Sequence, residues 1–253
     1  MRSLLLTIAI FGFALSQAIA QSSSTEQRNL DEAVRVVRQE SQADFPLRAA
    51  LLPSLGDDVI FLKTKGEFTP RTEVPLISFY RVTPAPYELK GNKIERQTVQ
   101  VDNYSEWLVA VDQESNQRFL LEGSRRNPVA EFNKLMQSLH LRIADADAAL
   151  AVFDFFLKTV RGEQVRSRVV GDDMKLQSIA LDDFRLRFPA AKSRAAFDAW
   201  WKGVSAATRQ AIKPPIASPM EHGFTVQYFF YDRGSLRKEQ LNINADGIIE
   251  EAH

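Results

Sequence analysis

The stretch FTVQYFFYDRGSLRKEQLNIN, from Phe224 to Asn244, consists of two strand-like runs on either side of a short turn. The turn is Asp232-Arg233-Gly234, and a glycine-containing turn between two such runs is typical of a β-hairpin. Asp246-Gly247 marks a further turn, after which only a short strand fits into the remaining residues. The chain is therefore predicted to end in an antiparallel meander.

Helical patterns precede this meander. Apolar residues recur every three or four positions, which predicts helices over residues 127–139, 145–160 and 193–212. The first helix begins at Asn127-Pro128, because asparagine caps free N–H groups and proline is tolerated in a first turn. Alternating patterns predict strands at Gln164–Val170, Lys175–Leu181 and Phe184–Phe188. The prolines between residues 213 and 219 predict an extended connector.

The first half of the chain has a similar order of elements. A helix is predicted over residues 26–40, with one apolar face formed by Leu30, Ala33, Val34 and Val37. The apolar period then shortens to about two, which predicts strands at Asp58–Thr64, Leu76–Val82, Lys93–Val101, Glu106–Asp112 and Gln117–Glu122. Gly91-Asn92 suits a two-residue hairpin turn, since both residues tolerate the positive φ that such turns need.

Both halves thus place a helix first and an antiparallel meander later. The predicted fold class is α+β, with helices packed on antiparallel β-meanders in two lobes, an N-terminal one over residues 21–124 and a C-terminal one over residues 125–253. Gly56-Asp57-Asp58-Val59 and Gly171-Asp172-Asp173-Met174 recur, so a duplicated unit is one interpretation. A single continuous domain is the alternative.

The N-terminus has the pattern of a secretory signal. Arg2 is followed by an apolar run from Leu4 to Leu15 and by the small residues Ala18-Ile19-Ala20, which predicts cleavage after Ala20. The run is shorter than the roughly 20 residues of a membrane-spanning helix, and an uncleaved anchor is the alternative. We expect an exported, soluble protein, periplasmic or secreted, with no stable membrane anchor after cleavage. Arginine outnumbers lysine, which is typical of a GC-rich bacterial genome.

The composition excludes several kinds of site. The 253 residues include no cysteine and three histidines, so disulfides, cysteine-ligated metals and a cysteine nucleophile are excluded. No histidine pair or acidic loop has metal-binding spacing, and neither a metal nor another cofactor is predicted. The 32 basic residues equal the 32 acidic ones in number. This balance argues against nucleic acid as a partner, because neutralising phosphates requires a cationic excess.

Arginine at every second position is the most distinctive surface pattern. It occurs in Val165-Arg166-Ser167-Arg168-Val169 and again in Phe184-Arg185-Leu186-Arg187-Phe188. On a strand, each segment would place two guanidinium groups on one face, and two neighbouring strands would form a cationic strip from Arg166, Arg168, Arg185 and Arg187. Such a strip fits an anionic ligand, either a carboxylate, a phosphate or an anionic glycan. The alternative is a solvated face balanced by Asp172, Asp173, Asp182 and Asp183.

Two functional classes remain. No nucleophile elbow is present, and Ser235-Leu236-Arg237-Lys238, the one S-x-x-K match, follows a turn and enters a strand. We therefore expect a non-catalytic module that binds an anionic ligand or a protein partner. The alternative is an extracytoplasmic hydrolase whose carboxylates converge only in the fold, with His222 beside Glu221 as a general base. His222 is also, with the four arginines, a candidate ligand-binding residue.

Overall fold

The computed structural model describes residues 24–42, 46–52, 77–85, 87–90, 93–96, 106–112, 115–123, 127–161 and 165–250. Contacts group these residues into two compact units, one from residues 24–52 and 77–123 and the other from residues 127–250. Helices and antiparallel sheets form the chain, so the α+β class is confirmed. The division into two lobes and the duplication stay predictions. The signal sequence, the strand Asp58–Thr64 and the repeat at Gly56 lie outside the described residues.

The first unit contains a helix and a four-stranded antiparallel sheet. Helix α1 spans residues 24–41. The strands that follow are β1 (Leu47–Leu51), β2 (Ile77–Pro84), β3 (Tyr87–Lys90), β4 (Lys93–Arg96), β5 (Trp107–Asp112) and β6 (Arg118–Glu122). The sheet order is β1-β2-β5-β6, and β3 pairs with β4 in a separate hairpin. Lys90 pairs with Lys93, so the hairpin predicted at this point is confirmed.

The core of the first unit lies between α1 and its sheet. Ala33 and Val37, predicted on the apolar face of the helix, are fully buried in one cluster with Tyr80, Val82 and Val109. All six residues of β5 are buried, as expected of a central strand that is covered on both faces. Burial of apolar side chains from the helix and from strands β2, β5 and β6 therefore holds this unit together.

The second unit begins with helices and ends with strands. Its helices are α2 (Pro128–Leu139), α3 (Ala146–Phe156), which continues into a π-helical turn (Leu157–Arg161), α4 (Asp173–Arg187), α5 (Ala190–Gly203) and α6 (Ala206–Ala211). Its strands are β7 (Val169–Val170), β8 (Ile216–Met220), β9 (Gly223–Asp232), β10 (Ser235–Asn244) and β11 (Ile249–Glu250). The predicted C-terminal hairpin, the short last strand and the extended connector are confirmed.

Strand β9 lies in the middle of the second unit's sheet. Strand β10 pairs with its whole length on one side, from Ser235 opposite Asp232 to Asn244 opposite Gly223. On the other side, β8 pairs with its first half and β7 with its second half. Strand β11 pairs with the end of β10. Helix α4 lies close to β7 and β9, and its buried residues share a cluster with Tyr231 of β9.

Asparagine or aspartate side chains cap the starts of α2, α3 and α4. The Asn127 side chain accepts hydrogen bonds from the N–H groups of Val129 and Ala130, which confirms the predicted start of α2. Asp145 and Asp172 cap α3 and α4 in the same way. Asp172 thus has a structural task, one that aspartates at a helix start commonly perform because the first N–H groups lack backbone partners.

Four predictions of secondary structure in the second unit are wrong. Residues 175–181 and 184–188 are not strands, because helix α4 occupies Asp173–Arg187. The predicted strand Gln164–Val170 is reduced to the two residues of β7. The helix predicted over residues 193–212 is interrupted at Val204-Ser205, where the Ser205 hydroxyl caps the separate helix α6.

The spacing of its buried residues explains why α4 is a helix. Leu176, Ala180 and Phe184 recur every fourth residue and are buried in one cluster, which also contains Val170 and Tyr231. Burial of this helical face outweighs the local alternation of arginine and apolar residues near Phe188, since tertiary packing overrides short patterns. Leu186, which a strand would have placed with the apolar residues, is 86% exposed.

Candidate functional site

A cleft of about 390 Å³ opens beside helix α3 in the second unit. Its volume lies in the range of small-molecule sites, roughly 300–1,000 Å³. Apolar and polar residues contribute almost equally to the lining, which consists of Leu150, Phe153, Leu157, Val169 and Pro215 on the one hand and Asp154, Arg166, Ser167 and Lys175 on the other. Ligand sites combine an apolar surface with polar groups that fix the ligand's orientation. We call it the Asp154 cleft and treat it as the candidate functional site.

A change of helix type occurs at one wall of this cleft. Helix α3 ends at Phe156 and continues as the π-helical turn Leu157–Arg161, whose first residue lines the cleft. The fully buried Thr159 donates its hydroxyl to the Phe155 carbonyl oxygen over 2.8 Å. A π-helical turn is less favourable than continued α-helix and is found often at functional sites. The π-helical turn is therefore a second observation, independent of the cleft's volume, that indicates a functional site at this position.

Two cations hold the carboxylate of Asp154 at the edge of the cleft. Arg166 Nε donates to Asp154 Oδ1 over 2.6 Å, and Lys158 Nζ lies 3.2 Å from Asp154 Oδ2. The three side chains are between about one fifth and two fifths exposed, so they are desolvated only in part. A charge-assisted pair in this setting is directional and short, and it fixes the guanidinium of Arg166 in the cleft wall.

Among the described residues, those in and beside the cleft carry more positive than negative charge. Arg166, Lys158 and Lys175 lie in it or on its carboxylate, and Asp154 is the one acidic side chain among the described residues that line it. Lys175 is exposed and forms no ion pair within the described part of the chain. A partly apolar cleft with surplus cations attracts an anion that also has an apolar part.

Two of the four predicted arginines meet at a different place, the buried Asp183. Arg187 NH2 lies 2.9 Å from Asp183 Oδ2, and Arg168 NH2 lies 3.9 Å from Asp183 Oδ1. Arg168 also lies 3.5 Å from Asp232 Oδ1. The Asp183 side chain is 8% exposed, so these contacts are an internal ion network that joins α4 to the sheet. We call these residues and Tyr231 the Asp183 cluster.

Tyr231 completes this cluster from strand β9. Its hydroxyl donates to Asp183 Oδ2 over 3.2 Å, and its N–H donates to the carbonyl oxygen of Arg168 over 3.0 Å. Burial, together with the neighbouring Asp183 carboxylate, raises the pKa of Tyr231 to about 12. The phenol therefore stays protonated and acts as a hydrogen-bond donor, which is a structural role.

The remaining predicted site residues lie at the surface. Arg185 is bonded to Asp182 one turn earlier on α4, and both side chains are more than half exposed. His222 lies in the turn between β8 and β9, where Nε2 is 3.5 Å from the equally exposed Glu221 carboxylate. Neither residue lines the Asp154 cleft. A role for either in ligand binding stays a prediction.

The proposed strip of four arginines on neighbouring strands is not formed. Arg185 and Arg187 lie on a helix, where residues two apart point to different sides. Arg166 is helical and Arg168 lies in the turn that follows it, before β7 begins. The alternative, balance by aspartates, holds for Asp182 and Asp183, since each of them pairs with arginine. Of the four, Arg166 is the one that lines the cleft.

Sequence inspection missed Asp154, Lys158 and Lys175 as site residues. Asp154 interrupts an apolar helix and has Lys158 four positions later, a spacing that predicts an ion pair on one helix face. The sequence therefore indicates the ion pair, but no sequence pattern shows that Arg166 or Lys175 lies near it. Only packing of α3 against the segment around β7 brings these side chains together.

The described residues contain no group of three or more histidine, aspartate or glutamate side chains placed to hold a metal ion. Among the helices described, none has the length and apolar character needed to cross a membrane.

Comparison of the chain with protein-family models, curated proteins and solved structures found no match.

Proposed function

We propose that the protein is an exported, non-catalytic binding module whose ligand is a small amphipathic anion held in the Asp154 cleft. The observation that supports this proposal is the position of Arg166 in a partly apolar cleft, beside a single carboxylate and a second lining cation, Lys175. Arg166 binds the anionic group of the ligand, and Lys175 adds a second positive charge. The apolar wall, which includes Phe153 and Leu157, contacts the rest of the ligand.

The chemistry of the two cations suits this division of labour. A guanidinium group presents several N–H donors in one plane, a geometry that matches the oxygens of a carboxylate, sulfonate or phosphate. The lysine ammonium is a mobile point charge that attracts the anion without fixing its orientation. The pairing of Arg166 with Asp154 keeps the guanidinium in one place before the ligand arrives, which lowers the entropic cost of binding.

The hydrolase alternative has less support from this geometry. A two-carboxylate mechanism needs a second acidic group within about 5–10 Å of the first, on the same cavity. Among the described residues that line the cleft, Asp154 alone is acidic, and it is already bonded to two cations. His222, the proposed general base, belongs to an exposed turn and not to the cleft lining.

Binding of 1-anilinonaphthalene-8-sulfonate provides the test, because this fluorescent probe combines a sulfonate with aromatic rings. We expect saturable binding to the native chain, and affinities about fivefold to tenfold lower for Arg166→Gln and somewhat lower for Lys175→Gln. The fivefold to tenfold factor corresponds to about 1–1.4 kcal/mol, the contribution of one hydrogen bond at a partly exposed site, and the smaller factor corresponds to one screened charge.

Arg237→Gln is the matched control for this test. It removes the same charge from a side chain on β10 that is more than half exposed, pairs with Glu239 and lies outside the cleft lining. We expect an affinity within about twofold of the native value for this variant, as for other solvent-screened charges. If Arg237→Gln weakened the probe's binding while Arg166→Gln left it unchanged, the cleft would not be the binding site.

A further inference from the structure

The corner between helices α4 and α5 exposes apolar side chains. Helix α4 ends at Arg187 and α5 begins at Ala190, so only Phe188-Pro189 connects them. Leu186 is 86% exposed and Phe188 is 38% exposed, and the residues Pro189, Ala190 and Ala191 beside them are exposed as well. Isolated exposed apolar residues are ordinary, but several exposed apolar residues within one short stretch between two helices indicate an interaction surface.

Basic residues surround this apolar group. Residues 185–194 include four basic side chains and no acidic one, in a chain whose total charge is zero. Arg187 belongs to the Asp183 cluster and is set aside here. Arg185 and Arg194 are exposed by 61% and 69%, and Lys192 is exposed too. The apolar corner is therefore bordered on both helices by solvent-accessible cations.

The carboxylates that pair with these arginines lie farther from the corner. Asp182 precedes Arg185 by three residues on α4, and Asp198 follows Arg194 by four residues on α5. At a rise of about 1.5 Å per residue, each carboxylate is about 4–6 Å farther along its helix than its arginine. With increasing distance from the corner, the exposed side chains are therefore first apolar, then basic and then acidic.

We propose that the α4–α5 corner docks on the surface of a lipid bilayer that contains anionic phospholipids. Leu186 and the exposed edge of Phe188 enter the boundary between headgroups and acyl chains. Arg185, Lys192 and Arg194 remain at the level of the phosphates. This proposal is independent of the ligand proposed for the Asp154 cleft, because the two use different residues.

The order of chemistry at the corner fits a bilayer surface in particular. Apolar side chains with flanking lysine and arginine bind anionic membranes through the sum of burial and electrostatic attraction, and the long basic side chains reach back to the headgroups. Exposed ion pairs such as Arg185–Asp182 are weak, so the arginines can exchange their carboxylates for phosphates at little cost. Helix α5 also begins at this corner without a side-chain cap, which places the positive end of its dipole there.

A fluorophore at Leu186 gives a readout specific to the corner. The chain contains no cysteine, so Leu186→Cys in the full chain can be labelled at one site with a nitrobenzoxadiazole dye. We expect a blue shift and a severalfold rise in emission with vesicles of phosphatidylcholine and phosphatidylglycerol in equal parts. Vesicles of phosphatidylcholine alone should produce little change. The response should fall from 0.1 M to 1 M salt, since the Debye length shortens from about 10 Å to about 3 Å.

Matched variants separate this surface from the rest of the chain. Met174→Cys places the dye at a residue 79% exposed near the other end of α4, and its emission should stay unchanged. In the labelled Leu186→Cys chain, Lys192→Glu should weaken vesicle binding about tenfold or more, as expected from about fivefold per charge. Lys202→Glu, the same charge change at the far end of α5, should alter it less than twofold.

Several results would overturn the proposal. One is a dye at position 186 that does not respond to the anionic vesicles. Others are equal responses at positions 174 and 186, or equal effects of Lys192→Glu and Lys202→Glu. A blue shift that grows with protein concentration in the absence of vesicles would show instead that the corner docks on a second copy of this chain.

Discussion

The hydroxyl of Tyr231 donates a hydrogen bond of 3.2 Å to Asp183, although the two residues are 48 positions apart in the sequence. Tyr231 is fully buried in β9, and Asp183 lies on the inner face of α4. The same carboxylate also contacts Arg187 and Arg168. A buried charge is tolerated only when it is paired and hydrogen-bonded, and Asp183 meets that condition with partners from α4, β9 and the segment before β7.

Removing this carboxylate should destabilise the second unit. Asp183→Ala leaves two guanidinium groups without their central partner and the Tyr231 hydroxyl without an acceptor. Breaking a buried ion pair costs about 3–5 kcal/mol, and because both arginines are about one third exposed we expect about 2–3 kcal/mol here. Urea unfolding followed by circular dichroism measures the change in unfolding free energy.

Asp182 provides the control for that experiment. It is the preceding residue, it pairs with Arg185, and its side chain is 64% exposed. Asp182→Ala should therefore change the free energy of unfolding by less than about 0.5 kcal/mol. Equal losses of unfolding free energy in the two variants would mean that the Asp183 cluster contributes no more to stability than a surface ion pair.

Glu122 should make the stability of the first unit depend on pH. Burial, with a contribution from Glu106, raises the pKa of its carboxyl above the ordinary value near 4.5, against the opposing effect of Arg81. The folded state thus binds this proton more tightly than the unfolded state does. The stability that the group contributes is present below the ordinary pKa and is lost as the pH rises through the raised pKa.

Glu122→Gln should accordingly be more stable than the native chain at neutral pH, because the amide needs no ionisation. The difference in unfolding free energy should shrink as the pH falls and disappear below about pH 4, where the native carboxyl is protonated. Glu221→Gln, at a residue 89% exposed, should show no such trend. A variant less stable than the native chain at neutral pH would contradict the argument from burial.

Local signals account for the elements that the sequence predicted well. The start of α2 follows from Asn127-Pro128, and the Asn127 side chain caps that helix as expected. The apolar face of α1 follows from residues such as Ala33 and Val37, which are buried as expected. The hairpin of β9 and β10 follows from its central turn. In each case the decisive residues lie within about ten positions of one another, so no knowledge of packing is needed.

Helix α4 shows where such reasoning fails. Two periodicities coexist in residues 173–188. Arginine occurs at every second position, at Arg185 and Arg187, whereas Leu176, Ala180 and Phe184 are apolar residues at every fourth position. The period of two favours a strand. The helix forms because the residues spaced four apart are buried in one cluster with Val170 and Tyr231. The site partners of Arg166 were missed for a related reason. Asp154 and Lys175 reach it through packing between separate elements, which no local pattern records.

Gly223 should tolerate no side chain. Its φ of +143° begins β9, and a Cβ there would lie 2.6 Å from the Cα of Asn244 and in closer collision with the Ile243 carbonyl oxygen. Both neighbours are backbone atoms of the paired strand, so relief requires β10 to move. We expect Gly223→Ala to lower the free energy of unfolding by at least about 2 kcal/mol, measured by urea unfolding.

Gly203 offers the opposite case within the same unit. It ends helix α5, and a Cβ there would meet no atom within 4 Å. Gly203→Ala should leave stability unchanged or raise it by up to about 1 kcal/mol, since alanine restricts the unfolded chain and favours the helix. Comparable losses in the two variants would show that the strand register at Gly223 is more tolerant than its geometry indicates.

Asp154→Asn should strengthen anion binding in the cleft. The amide oxygen still accepts a hydrogen bond from Arg166 Nε, so the guanidinium keeps its place while one negative charge disappears. For an anion several ångströms away at a partly exposed site, one charge is worth about 1 kcal/mol, and the affinity for anilinonaphthalene sulfonate should rise about fivefold. Asp198→Asn, with the same charge change at the exposed pair on α5, should leave it unchanged. A loss of affinity in Asp154→Asn would mean that the ligand needs the carboxylate itself, as a hydrolase or a binder of cations would.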